Sequence, residues 1–187
     1  MKRSLLFLAL PLALVASTLG AGELYVGLAV GDTIDDGPFG REFNPFGTRS
    51  TGTPFKLAAG WEFTPMLALE GATYDLGSRS CCPSVADAGF ETDVDAYAVA
   101  MVGRLPLGET RRMSLSARVG ALFWEETGSE ITIAGPRPLA LDGTDFAAGL
   151  GVWWQASDHL SVGVEWESLE MGEATVDLPW LALRLGF

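Results

Sequence analysis

The chain predicts an all-β fold: an eight-stranded antiparallel up-and-down transmembrane β-barrel with a polar, filled lumen and an apolar exterior facing lipid. Three observations carry this. Apolar residues recur at every second position in eight segments of roughly ten residues, the period of a strand with two different faces. The links between segments alternate between tight turns and longer stretches rich in Gly, Pro, Thr and acid. One face of each segment carries large apolar side chains, and the other carries Gly, Ala, Ser and charges. At 187 residues the chain is one domain's length. It is 48% hydrophobic and only 19% charged, with a mean hydropathy of +0.25, which excludes a disordered acidic tail and strains a water-soluble globule.

Residues 1–21 read as a cleaved signal peptide ahead of a barrel domain at 22–187. Met1-Lys2-Arg3 is a basic start, Leu5 to Ala16 is apolar, and Ser17 to Gly22 supplies small residues. The apolar run, interrupted by Pro11, falls short of the roughly 20 residues that a spanning helix needs. Cleavage after Ser17, Gly20 or Ala21 leaves a small residue at the cut, and no Cys lies near enough for a lipoprotein anchor. Of the 12 Lys and Arg, Lys2 and Arg3 leave with this segment, so the remainder is more acidic still, against 24 Asp and Glu. A nucleic-acid partner is disfavoured.

The strands follow in order. Glu23 to Gly31 sets Leu24, Val26, Leu28 and Val30 against Tyr25, Gly27 and Ala29. Phe55 to Phe63 opposes Phe55, Leu57, Trp61 and Phe63 to Lys56, Ala58, Gly60 and Glu62. Met66 to Tyr74 sets Leu67 and Leu69 against Glu70. Val94 to Leu105 opposes Tyr97, Val99, Met101 and Leu105 to Ala98, Ala100, Val102 and Arg104. Met113 to Glu125 sets Leu115, Val119 and Phe123 against Ser114, Ser116 and Arg118. Asp145 to Gln155 opposes Phe146, Leu150, Val152 and Trp154 to Ala147, Gly149, Gly151 and Trp153. Leu160 to Ser168 sets Val162, Val164 and Trp166 against Gly163, Glu165 and Glu167. Val176 to Phe187 ends with Leu181, Leu183, Leu185 and Phe187 against Ala182, Arg184 and Gly186.

Tight links fall at Thr64-Pro65, Gly108-Glu109-Thr110 and Ser157-Asp158, whereas Asp32 to Pro54, Asp75 to Asp93, Glu126 to Thr144 and Leu169 to Thr175 are expected as loops. Short turns on one rim and long loops on the other is how outer-membrane barrels are built, with the turns and both termini in the periplasm. With the fatty face outward, the lumen holds Gly, Ala and Ser together with Lys56, Arg104, Arg118 and Arg184 and the acids Glu62, Glu70, Glu165 and Glu167. An eight-stranded interior admits little beyond side chains, so these charges are expected to pair and fill it. A soluble barrel would need the reverse and would show water a surface of Gly and Ala. The aromatics Tyr25, Trp61, Phe63, Phe123, Trp154, Trp166 and Phe187 are expected at the lipid–water boundary, and Trp153 within general packing.

The leader, the eight alternating strands, the run from Ala156 to Trp166 and the closing Leu183-Arg184-Leu185-Gly186-Phe187 resemble the small OmpA/OmpX-type outer-membrane barrels. That resemblance implies residence in the outer membrane of a Gram-negative cell among lipid and lipopolysaccharide, as a monomer. It also implies that Leu181, Leu183, Leu185 and Phe187 form the signal read by the barrel-assembly machinery, and that the lumen charges form a salt-bridged plug. No peptidoglycan-binding domain follows Phe187 in this sequence, so cell-wall tethering does not carry over.

Other candidates for chemistry are sparse. His159, beside Asp158 and near Ser161, has the residue types of an acyl-transfer site such as that of barrel-shaped lipid A deacylases, but Val162 stands where those enzymes carry Asn, and a surface turn is the expected place for it. Cys81 and Cys82 are adjacent, leaving a vicinal disulfide, an intermolecular one and free thiols open. Two Cys without a nearby His make no zinc site. The acids Asp32, Asp35, Asp36, Glu125, Glu126, Glu130, Asp142 and Asp145 lack EF-hand spacing and are read as a solvated rim near lipopolysaccharide. Phe39, Phe43 and Phe46 could contact a surface ligand or pack within their loop. No cofactor and no catalysis are expected. The expected role is a structural or interaction barrel contributing to envelope integrity and surface contacts, with a lipid A-modifying enzyme and a narrow pore as alternatives.

Overall fold

The computed structural model describes residues 22–32, 49–51, 53–81, 89–132, 135–172 and 174–187. Residues 1–21, read above as a signal peptide, and Phe39, Phe43, Phe46 and Cys82 lie outside the described residues, and Cys81 is described only as the last backbone position of a strand. Alternation yields the strands β1 (Glu23–Gly31), β2 (Arg49–Thr51), β3 (Phe55–Thr64), β4 (Leu67–Cys81), β5 (Gly89–Leu107), β6 (Met113–Thr132), β7 (Gly135–Gln155), β8 (Leu160–Met171) and β9 (Ala174–Gly186). Every pairing is antiparallel, and β1 bonds both β3 and β9, so the sheet closes on itself. β2 pairs with β4 at Ser78–Ser80 and β3 pairs with the same strand from Leu67 to Asp75, so β2 and β3 are two pieces of one wall strand. Nine segments therefore make eight staves.

Closure satisfies backbone donors and acceptors where no water could, which is what permits a β-structure to cross lipid. The seam joins the chain ends. Leu24 C=O accepts the Phe187 amide at 2.8 Å, and His159 C=O accepts that of Gly186 at 2.9 Å, so both ends of the barrel chain lie on the rim of the tight turns.

The outward positions form a continuous apolar belt. Tyr97 to Leu105 on β5, Met113 to Phe123 on β6 and Phe146 to Trp154 on β7 present exposed apolar side chains at alternate positions, with Leu150 at 68% and Val164 at 60% exposure. These stretches match the roughly 9–11 residues that a tilted strand needs to cross a bilayer. Inward positions on the same strands are closed to solvent: Ala96 and Leu122 are both at 0%.

Three expectations are corrected. The stretches Asp75 to Asp93, Glu126 to Thr144 and Leu169 to Thr175 are largely strand, not loop: β4 and β5 pair out to Cys81 and Phe90, β6 and β7 to Thr132 and Gly135, and β8 and β9 to Met171 and Ala174. Backbone pairing needs no apolar alternation beyond the lipid, where both sheet faces meet water, so the period-two signal fades before the strands end. Tyr25 is not a boundary aromatic. It is inward and 2% exposed, because it shares the parity of Gly27 and Ala29 on β1. Finally, the lumen holds more than small and charged residues. Tyr74, Leu76, Val94, Leu122, Leu169, Val176, Leu178 and Trp180 pack into one buried cluster in the half remote from the turns.

Candidate functional site

Two features stand out, a sealed lumen and a sheet that projects past the belt. The lumen charges come from strands distant in sequence. Lys56 of β3 reaches Glu165 Oε2 at 2.7 Å and Glu167 Oε1 at 2.5 Å on β8. Arg118 of β6 bonds Glu70 Oε1 of β4 at 2.9 Å and also pairs with Glu167. Arg104 of β5 pairs with Glu62 of β3. The two-residue spacing of Glu165 and Glu167 places both on the inward face of β8, so one strand serves Lys56 and Arg118 together. Lys56, Glu70, Arg118, Glu165 and Glu167 are buried, with Glu167 at 1% exposure, whereas Arg104 and Glu62 are only partly so. A buried charge is tolerated when it is paired; each of these charges has an ionic partner, while Arg118 Nε and Glu167 Oε2 carry no hydrogen bond among the described residues.

Arg184 is held differently. Its guanidinium lies over the Trp153 ring at 3.8 Å and over the Tyr25 ring at 4.7 Å, while Arg104 lies over Tyr25 at 4.8 Å. Stacking on aromatic faces is a favourable alternative to a carboxylate for a delocalised cation. Tyr25 donates its hydroxyl to Glu70 Oε2 at 2.6 Å, and Trp153 donates its indole N–H to Ser116 Oγ at 3.1 Å. Tyr25, Trp153 and Ser116 thus complete the network. Sequence reasoning missed their part in it, although their inward parity was the available signal. The void beside Tyr25, Lys56, Glu165 and Arg184 is about 10 Å³, about one water's worth of space.

The projecting sheet is built from β5, β6 and β7. β7 pairs with β6 over its whole length, but its pairing with β8 begins only at Ala147. Among the described residues, no strand pairs with the second edge of β7 over residues 136–146, beyond the barrel wall. Asp145 sits where the edge meets the rim, accepting the Trp124 indole N–H and the Gly172 amide, each at 2.7 Å. Gly172 amide first and Trp124 second hold the Asp145 carboxyl below the usual aspartate range. On the outer face just past the belt, register sets Asp75 opposite Asp95, Asp95 opposite Glu125, and Glu125 opposite Asp142. Burial first, then the charges of Asp75, Asp93 and Glu125, push the Asp95 carboxyl above its ordinary value.

The remaining candidates are placed as follows. Leu181, Leu183, Leu185 and Phe187 all point outward into the belt, with Phe187 at 74% exposure. His159 is exposed in the turn between β7 and β8, where Ser157 Oγ accepts the Leu160 amide at 3.2 Å, and Ser161 lies on β8 in register with Arg184. Among the described residues, no group of three or more His, Cys, Asp or Glu is arranged to hold a metal ion.

No family model and no curated protein matches the chain. Solved structures do. The outer membrane protein OprG of Pseudomonas aeruginosa matches with a TM-score of 0.58 at 12% identity, over 89% of this chain and 96% of that one. Ail, the attachment invasion locus protein of Yersinia pestis, matches at 0.56 and 16% identity, over 89% and 97%. The N-terminal β-barrel domain of P. aeruginosa OprF matches at 0.55 and 9% identity, over 89% and 100%. The fold is that of the small outer-membrane barrels. At such identities the likeness carries the architecture, and function has to be argued from this chain's own surfaces.

Proposed function

We propose that the chain is an outer-membrane interaction barrel whose sealed body anchors a projecting sheet for contact with a cationic partner at the cell surface. What supports this reading is the edge of β7 over residues 136–146, which no strand among the described residues pairs, above a lumen that is filled. An unpaired strand edge is a template for another extended segment. Pro136 and Pro138 remove donors near the tip, which leaves 139–145 as the stretch able to pair.

Charge selects the partner. Asp75, Asp95, Glu125 and Asp142 form a row in register across β4, β5, β6 and β7, Asp93 lies on β5 and Asp145 on β7, and Arg137 is the one base on β7. Ail has been solved with the heparin analogue sucrose octasulfate, a polyanion; the acidic surface here favours the opposite sign. Membrane lipid and lipopolysaccharide surround the belt in this reading. The outward C-terminal residues Leu181, Leu183, Leu185 and Phe187 serve assembly, the barrel is monomeric, and it adds to envelope integrity by its rigidity. A lumen this full gives the pore alternative no support, and an exposed turn gives His159 none as a catalyst.

The test uses the barrel in nanodiscs with protamine as a cationic probe and heparin as an anionic one. Protamine should bind in a salt-sensitive way, heparin should not, and Glu125→Lys with Asp142→Lys should weaken protamine binding at least tenfold. Equal binding by this variant, or preference for heparin, would overturn the proposal.

A further inference from the structure

On the opposite rim, the turn joining β3 to β4 and the turn joining β5 to β6 flank an open cleft of about 740 Å³ lined by Pro65, Met66, Leu67, Pro106, Gly108 and Arg111. Its lining is apolar apart from Thr64, whose Oγ1 accepts the Met66 amide, and one corner. Met66 is 51% exposed, and Leu67 on the wall of the cleft belongs to the outward belt, so the apolar surface continues from the bilayer into the cleft without a break. That continuity is what an acyl chain leaving the bilayer would follow.

The corner is cationic. Arg111 lines it, and Arg112 follows in sequence outside the lining; both are exposed, in a chain of net charge -12. Arg111 has φ of 50°, and among the described residues it is the one non-glycine position with a left-handed backbone. Glycine takes that conformation freely and supplies it at Gly108 in the same turn, with φ of 70°. An arginine held there is an uncommon choice for the backbone, of the kind that accompanies a functional side chain. The turn is anchored as well, since the Arg112 carbonyl accepts the Gln155 amide at 2.7 Å; the facing turn is tied to β5 by the Met66 carbonyl, which accepts the Arg104 amide at 2.8 Å. The cleft is therefore a formed feature between two fixed turns.

We infer that this cleft binds an anionic glycerophospholipid of the periplasmic leaflet, its acyl chain against Met66, Leu67 and the two prolines and its phosphodiester on Arg111 and Arg112. A guanidinium fork matches phosphate oxygens, and an apolar wall continuous with the belt matches the chain, so the two halves of the site read the two halves of one molecule. The rest of the described surface near the turns offers no second arginine pair: the turn at Ser157-Asp158-His159 has none.

Native mass spectrometry of the full barrel, loaded from mixed phosphatidylglycerol and phosphatidylcholine micelles, tests this. The wild type should retain one phosphatidylglycerol in several-fold preference to phosphatidylcholine, and Arg111→Glu with Arg112→Glu should abolish the preference, while Arg137→Glu on the far rim should leave it intact. Equal retention of both lipids by the wild type, unchanged preference in the double variant, or full displacement by soluble glycerol phosphate would each overturn the site. A heat-shifted gel band checks that the variants are folded, and if the double reversal does not fold, Arg111→Gln carries the test with the same expected direction.

Discussion

Lys56, Arg118, Glu70, Glu165 and Glu167 form one connected cluster, and the cost of breaking it depends on what is left behind. Arg118→Ala leaves the buried Glu70 with only the Tyr25 hydroxyl and Glu167 with Lys56 alone, so a loss on the order of 3–5 kcal/mol is expected in urea unfolding from lipid vesicles. Arg104→Ala strands Glu62, whose side chain keeps 21% exposure, so its loss should be clearly smaller. Equal losses would mean that the two pairs are equally desolvated. Two acids outside the belt set opposite pH trends. The Asp95 carboxyl is raised, so the folded state holds its proton more tightly; stability falls as pH climbs from the ordinary aspartate range through the raised value. Asp95→Asn should therefore be more stable than the wild type at neutral pH and equal to it in acid. The Asp145 carboxyl is lowered, so its stabilisation is present above the ordinary aspartate range and is lost as pH falls through the lowered value. Unfolding midpoints measured against pH for the two substitutions Asp95→Asn and Asp145→Asn should diverge with these signs.

Among elements, the inward glycines show why the staves accept aromatic residues in so narrow a lumen. A Cβ on Gly60 would meet the Tyr25 ring, and one on Gly163 would meet the Trp153 ring, whereas one on Gly186 would meet nothing. Gly60→Ala and Gly163→Ala should each cost about 1–3 kcal/mol by overpacking, and Gly186→Ala should be neutral within about 0.5 kcal/mol, all read from the same urea midpoints. Strand existence and facing were legible in the sequence because lipid on one side and a packed lumen on the other impose a strict alternation, as at Leu115, Ala117 and Val119 against Ser116 and Arg118. Strand ends were not. Beyond the belt, Thr127 to Thr132 pairs in register with Gly135 to Ala140, and the mixture of polar, Gly and Pro residues there leaves no period to read.

For the whole molecule, the half of the lumen holding Leu76, Leu122, Leu178 and Trp180 lies above the charge cluster, so an ion would face first an apolar obstruction and then a paired one. Planar bilayers containing the wild type should show no discrete conductance steps, and steady stepwise currents would refute the sealed lumen. The unboiled protein should migrate on gels apart from the boiled form, because within the apolar belt the closed ring has no strand edge at which detergent can begin to unzip it.

By itself the sequence determined the strand count in the wall, the outward set from Val26 to Phe187, and the identity of the charges that share the lumen, since each follows from parity along a single strand. Only the tertiary structure decided which charges meet, because Lys56 and Glu167 are brought together across the ring and no local spacing joins them. It also decided that Arg184 rests on Trp153 and Tyr25, that β7 outruns β8, and that two turns enclose a cleft. Those outcomes depend on register and closure, which are properties of the sheet as a whole.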